Sequence, residues 1–288
     1  MRIFEKELCA FLSECGMPFR TEEKSGLRVL LCENRPLAIV TVPLDYFSEG
    51  GTPELVRRTM AEAGAAEALC IYEDRWMYAG PLVRSMLRVR MGAGYNIFAR
   101  NCEVRVISAG TAASFLQANH IYGSARSAVR LGLFRLRSTG RREAPMDSTP
   151  PMVAVATFSS GRRMGGAGIS YEWVRYASLR GVRVVGGMGR LIDAFAGIAR
   201  IENGGEEFGV MTYADMEWYG GDSYLRLGFR ADGMRPPVRF LCDPVTGMRV
   251  HEGKILTDRR FRGLDAEGMV PVLNLGSLRY VRSMSGRI

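Results

Sequence analysis

The chain contains no run of eighteen apolar residues, so no membrane-spanning helix is expected. It lacks a signal-peptide layout, because the opening MRIFEKELCAFLSECG scatters acids and bases through an amphipathic pattern. None of the six cysteines (Cys9, Cys15, Cys32, Cys70, Cys102, Cys242) has Cys-x-x-Cys spacing. That argues against zinc ligation or a disulfide framework and for the reduced thiols of a cytoplasmic protein. Low-complexity tracts and internal repeats are missing, so neither disorder nor a solenoid is expected.

Lysine is scarce: Lys6, Lys24 and Lys254 are the only lysines among 39 basic residues, and the net charge is +9. Arginine forks onto phosphate, so the balance points to DNA or another polyanion. The competing explanation is a GC-rich genome that writes arginine for lysine.

What is present is ample apolar sequence, 47% of 288 residues, enough for one large or two modest domains. Phe4, Leu8, Phe11 and Leu12 place a helix over residues 3–15. LRVLLCE and PLAIVTVPL read as strands around the turn at Glu33 to Pro36. A helix from Pro53 to Gly64, the strand ALCIYED and a helix over 81–92 complete a small α/β domain over residues 1–98. The pattern restarts with strand CEVRVIS and helix AGTAASFLQANH, then GSARSAVRLGLF as helix running into strand. Further strands are VAVATFSS, SYEWVRYAS and EFGVMTYAD, with a polar loop from Arg137 to Met152, a helix near 221–227 and a β-rich end. The expected class is α/β (α+β), with residues 99–288 forming a second, mixed-sheet domain.

The stretch RVVGGMGRLIDAF, from Arg183 to Phe195, is a strand that ends at glycines and opens a helix. Glycine permits close backbone approach, and the first N–H groups of a helix point toward an anion. Its spacing fits neither a Rossmann fingerprint nor a Walker loop. A phosphate loop and a plain strand-to-helix turn both remain open. Asn119-His120-Ile121-Tyr122-Gly123 is read either as a helix C-cap or as a site where His120 relays a proton or binds a metal. Trp218-Tyr219, flanked by glycines, is a candidate exposed substrate contact. Arg162-Arg163 is read either as a phosphate contact or as a solvated hairpin tip. Tyr171, Trp173 and Tyr176 alternate on one strand and are read as core more than as a stacking platform.

With its downstream partner TYADMEWYGGDSYLRLGF, the motif resembles the GNAT acyltransferase superfamily. The shared pattern is Arg-x-x-Gly-x-Gly/Ala opening a helix, then a strand, then Tyr-x-x-x-Gly-Phe. That resemblance implies an acetyl-CoA or related acyl-CoA donor, its pyrophosphate lined by Arg183, Val184, Val185, Gly186, Gly187, Met188, Gly189 and Arg190. It implies Tyr224 as the general acid and a V-shaped gap between sheet strands for the donor. Met188 departs from the pattern, standing where Gly or Ala is usual.

The blocks ARNCEVRVIS, FLQANHIYG, VAVATF, YEWVRYAS, VVGGMGRLIDAF and a late Leu275-Gly276…Arg279-Tyr280 extend the likeness along nearly the whole chain. Together they resemble phage and mobile-element proteins of the homing-endonuclease-associated type, which join a Vsr-like PD-(D/E)XK nuclease domain to a GNAT-like domain. By that pattern Val40 occupies the acidic position and Phe47 the histidine position. Glu33, Asp45 and Glu49 lie nearby in sequence but outside the family's arrangement, and Arg57 or Arg58 stands near its lysine. An inactive nuclease-like domain is therefore expected, since Mg²⁺ requires clustered carboxylates.

A His, Asp and Tyr layout is similar to that of Mom-type DNA-modification proteins. It implies His120, Asp215 and Tyr224 as catalytic residues, with His120 and Asp215 as possible metal ligands and Asn119, Tyr122, Arg162, Arg163, Trp218 and Tyr219 as substrate or DNA contacts. The leading expectation is a DNA-associated group transferase. A non-catalytic DNA-binding protein and a small-molecule N-acetyltransferase are the alternatives.

Overall fold

The computed structural model describes residues 1–136, 151–163, 168–218, 220–255, 258 and 267–284. The fold is mixed α and β. Two compact units emerge, neither continuous in sequence: residues 1–84, 214–222 and 233–279 form the first, and 85–213, 223–232 and 280–288 the second.

In the first unit, helix α1 (Ile3–Glu14) buries Phe4, Leu8, Phe11 and Leu12, the i, i+4, i+7, i+8 stripe of an amphipathic helix. Strands β1 (Phe19–Lys24) and β2 (Leu27–Cys32) form a hairpin. Its two-residue turn, Ser25-Gly26, has φ of 54° and 75°, the left-handed pair that suits a tight hairpin. The sequence reading has two strands here and the structure has three. β1 is FRTEEK, a charged edge strand that buries almost nothing and so carries no hydrophobic alternation to read.

Strand β3 (Leu37–Val42) is buried at all six positions. Helix α2 (Pro53–Ala61) starts where Thr52 Oγ1 accepts from the Leu55 N–H at 3.2 Å, with proline in its first turn. Strand β4 (Glu67–Tyr72) lies parallel to β3, and the sheet order is β1-β2-β3-β4. Helix α3 (Glu73–Arg90) is interrupted at Ala79, two residues before Pro81.

The second unit opens with β5 (Tyr95–Phe98), β6 (Cys102–Val106), α4 (Ala109–Asn119) and β7 (Val129–Arg135). Residues 124–128, expected to begin a helix, form a loop; so short a segment cannot offset the cost of helix nucleation. Next come β8 (Met152–Phe158), the two-residue β9 (Arg162–Arg163), β10 (Ile169–Ser178), β11 (Val182–Val185), α5 (Gly187–Glu202) and β12 (Phe208–Asp215). Helix α6 (Asp222–Arg226) and β13 (Arg230–Arg235) follow. The chain then supplies β14 (Arg239–Cys242), β15 (Arg249–His251) and β16 (Val270–Leu273), a three-stranded sheet of order β15-β14-β16. Cys242, Val272 and Leu275 join the first unit's core beside Val40 and Tyr72.

The last strand, β17 (Ser277–Met284), enters the large sheet β13-β17-β12-β10-β8-β7-β6, with β9 on β10. Phe158 and Phe195 stack at 3.9 Å over one face. Ala112, Phe115 and Leu116 of α4 pack on Val155 and Ala177 on the other. Residues 137–150, most of the expected polar loop, lie outside the described residues. Among the described residues no helix is long and apolar enough to cross a membrane.

Candidate active site

Strand β11 does not join the large sheet. It pairs in parallel with β5, Val182 opposite Tyr95 through Val185 opposite Phe98. Gly186 then caps α5 with φ 77° and no side-chain cap, a left-handed conformation that favours glycine. A Cβ on Gly187 would sit 2.8 Å from Val184 Cγ1 and 2.9 Å from the Tyr176 hydroxyl, and one on Gly189 would touch Leu227 at 3.4 Å. Backbone conformation therefore accounts for the glycine at 186 and packing for the one at 187. Val184 is buried, Arg183, Val185 and Arg190 are exposed, and Met188 is half-buried. An uncapped helix start flanked by two exposed arginines fits a pyrophosphate, which takes backbone N–H groups and cationic side chains.

Strands β10 and β12 run parallel from Ile169 opposite Phe208 to Glu172 opposite Met211. Among the described residues the β10–β12 pairing ends there, while β10 continues antiparallel on β8. The first residue of β12 past the break is Thr212, whose hydroxyl donates to the Trp173 carbonyl at 3.1 Å. The Tyr224 hydroxyl lies 3.4 Å from the same Thr212 oxygen. The Tyr224 ring is edged by Trp173 and Phe229 and tilted over Tyr280, with centroids 5.6–5.8 Å away.

Tyr-x-x-x-Gly-Phe has a structural meaning of its own. Phe229 N–H donates to the Tyr224 carbonyl at 3.1 Å and Gly228 N–H to the Leu225 carbonyl at 3.0 Å, with Gly228 at φ 78°. These are the two bonds of a Schellman cap, and the Phe229–Tyr224 ring contact is its usual hydrophobic closure. The cap fixes the ring and leaves the hydroxyl directed at Thr212.

One residue that sequence reasoning missed lies beside it. The β10–β8 register slips by one between Trp173 and Arg175. This bulge puts Arg175 opposite Thr157, while Trp173 faces Phe158. The Arg175 guanidinium sits below its ordinary pKa, first because burial penalises its charge; Tyr122, Glu172 and Tyr224 act against that shift. Its Nη1 donates to the Val174 carbonyl at 2.8 Å, and its buried Nε has no partner among the described residues. The available signal was an arginine inside the otherwise apolar and aromatic run YEWVRYAS. Tyr122 and Tyr224, far apart in sequence, are thus both within electrostatic reach of one half-buried cation.

No family model and no curated protein matches this chain.

The other expected residues are placed as follows. His120 is the C-cap of α4, and its Nδ1 accepts from the Tyr122 N–H at 3.1 Å, leaving Nε2 to carry the proton in the neutral ring. Asn119 is engaged by the scaffold: its Oδ1 accepts from Arg180 N–H and its Nδ2 donates to the Phe115 carbonyl, both at 2.8 Å. Arg162 and Arg163 are exposed on the short strand β9. Tyr171 and Trp173 are core residues at 2% exposure. Tyr219 lies outside the described residues, and Trp218 is buried at 4% exposure.

Asp215 belongs to the first unit and His120 to the second. Asp215 accepts from the Glu217 N–H at 2.9 Å. Among the described residues, no three His, Cys, Asp or Glu side chains gather as a metal-ligand set.

A buried ion cluster in the first unit was also missed. Arg249 forks onto Asp74, with Nη2 to Oδ1 at 3.0 Å, and reaches Glu217 at 3.4 Å. Burial and neighbouring Asp215 raise the Glu217 carboxyl to about 7, and burial pushes the Cys242 thiol up to about 12. Arg249 also covers the Tyr72 ring at 4.5 Å. Of the two positions where the nuclease resemblance implied an acid and a histidine, Val40 is fully buried between Val29 and Cys70, and Phe47 stacks on Tyr72. Asp45 is paired with Arg2 at 2.6 Å, and Glu33 and Glu49 are exposed.

Proposed function

We propose that the second unit is an acyl-CoA-dependent group transferase of the GNAT type that acts on a DNA-associated acceptor. One observation carries the reading: β10 and β12 part immediately before Thr212, and the Tyr224 hydroxyl sits at that break. Parted parallel strands followed by an uncapped helix start make a cleft open to a flexible, phosphate-bearing donor. Gly186, Gly187, Met188 and Gly189 would present the first turn of α5 to the pyrophosphate, with Arg183 and Arg190 beside it. A bound acyl-CoA supplies an activated acyl group.

The chain's own residues supply the proton and the field. Tyr224 holds its proton on a hydroxyl fixed by the Schellman cap and by Thr212, ready to be given to a leaving group. Arg175, half-buried and cationic, would stabilise negative charge that develops near Tyr224. Trp173 and Phe229 pack on the Tyr224 ring and hold it in place. The arginine surplus supports a DNA partner. For the first unit we propose a nuclease-like scaffold without nuclease chemistry, since Val40 is walled in by apolar side chains.

A non-catalytic DNA-binding protein is the second reading, favoured by Gly187, whose packing on Val184 and Tyr176 needs no ligand to explain it. Calorimetry with acetyl-CoA separates the two: heat of binding at or below millimolar ligand is expected, and its absence overturns the transferase reading.

A further inference from the structure

On the α4 face of the second unit's sheet lies a cleft of about 380 Å³, remote in sequence from the 183–190 loop. One wall is the small-residue side of α4, Ala109, Ala112 and Ala113. The opposite wall carries Arg126, Arg130 and Thr157. None of the lining residues is acidic.

Two of the lining residues, Arg130 and Thr157, belong to a polar row that crosses three strands and continues past the cleft to Arg175. Arg130 of β7 pairs with Thr157 of β8, and Thr157 pairs with Arg175 of β10, so the three side chains share one face. Thr157 is 1% exposed, yet its hydroxyl has no hydrogen-bond partner among the described residues. The buried Nε atoms of Arg130 and Arg175 have none either. Arg130 spends one donor on the Ser127 carbonyl at 2.6 Å, which holds the 124–127 loop over the cleft. Buried donors are almost always satisfied, and two guanidinium groups across one hydroxyl repel unless an anion lies between them. The first turn of α4 adds the positive end of its helix dipole.

We infer that this cleft binds a phosphate group. A phosphate offers three or four acceptor oxygens to the Arg126 and Arg130 guanidinium groups and the Thr157 hydroxyl, whereas a carboxylate offers two. The alanines leave room for the group, and the arginine fork matches its geometry. The lining shares no residue with the proposed donor loop, so the inference holds whether or not acetyl-CoA binds.

The test is calorimetric titration of the full chain at low salt with inorganic phosphate, a mononucleotide, a short DNA duplex and acetate. At least one phosphate ligand should bind at millimolar concentration or below, and at least tenfold more tightly than acetate. Binding of the duplex alone assigns the phosphate to a nucleic-acid backbone; binding of phosphate or the mononucleotide assigns it to a free ligand. Arg126→Gln and Arg130→Gln should each weaken binding about tenfold and Thr157→Val about threefold, while Arg35→Gln, an exposed position in the first unit, should leave it within twofold. Arg126 is exposed, so its variant folds even if Arg130→Gln disturbs the 124–127 loop. The inference is overturned if no phosphate ligand binds, if acetate binds as tightly, or if Arg35→Gln weakens binding as much as Arg126→Gln.

Discussion

Arg249 and Asp74 meet as a two-bond fork although 175 residues separate them, and both side chains are no more than 2% exposed. Such a pair is expensive to break, because the survivor is left charged and dry. Arg249→Ala should therefore cost about 3–5 kcal/mol, read as a lower urea midpoint. Arg162→Ala, on the exposed strand β9, should shift the midpoint negligibly.

Glu217 adds a pH dependence. Its carboxyl is raised to about 7 in the fold, first by burial and then by Asp215, against about 4.3 in an unfolded chain. Between those values the folded state holds the proton that the unfolded state has released. The contribution is therefore fully present at the acid end and is lost as pH rises toward 7, with no further change above. Melting temperatures of wild type and Glu217→Gln should diverge over that window, the wild type losing stability with rising pH and the variant losing less. Parallel profiles would contradict the assignment.

Tyr224 separates scaffold from chemistry. Tyr224→Phe keeps the ring that closes the Schellman cap and removes only the hydroxyl. Turnover should fall about 10²–10⁴-fold, the usual worth of a general acid, with melting temperature nearly unchanged. Gly228→Ala does the reverse: forcing a Cβ into φ 78° should cost about 1–2 kcal/mol. If the two variants behaved alike, Tyr224 would be structural only.

Gly187 reports on the loop. In Gly187→Ala the new methyl meets Val184 and the Tyr176 hydroxyl inside 3 Å. Overpacking of this kind costs about 1–3 kcal/mol. On the transferase reading it should also weaken acetyl-CoA, measured by calorimetry beside the thermal melt.

Much of the local order was legible in the sequence because it is written in short-range chemistry. The α1 stripe repeats every three to four residues. Thr52-Pro53 marks a helix start, and the β-branched and aromatic runs around 39, 155, 174 and 211 mark strands. The charged edge strand β1 escaped because it buries too little to show a pattern, and β5 because four residues make too short a signal. Arg175 was visible as an oddity, but its aim depends on a bulge set by the register of β10 on β8.

By itself, the sequence determined a basic, arginine-rich α+β chain with a glycine-opened helix near 187 and a Tyr-x-x-x-Gly-Phe run downstream of it. Only the tertiary structure decided that β11 pairs with β5, that β10 and β12 part at Thr212, and that Arg249 closes on Asp74 and Glu217. Each of these is a contact between segments tens to hundreds of residues apart. Strand pairing and buried charge are governed by which surfaces exclude water together, and no local pattern encodes that choice.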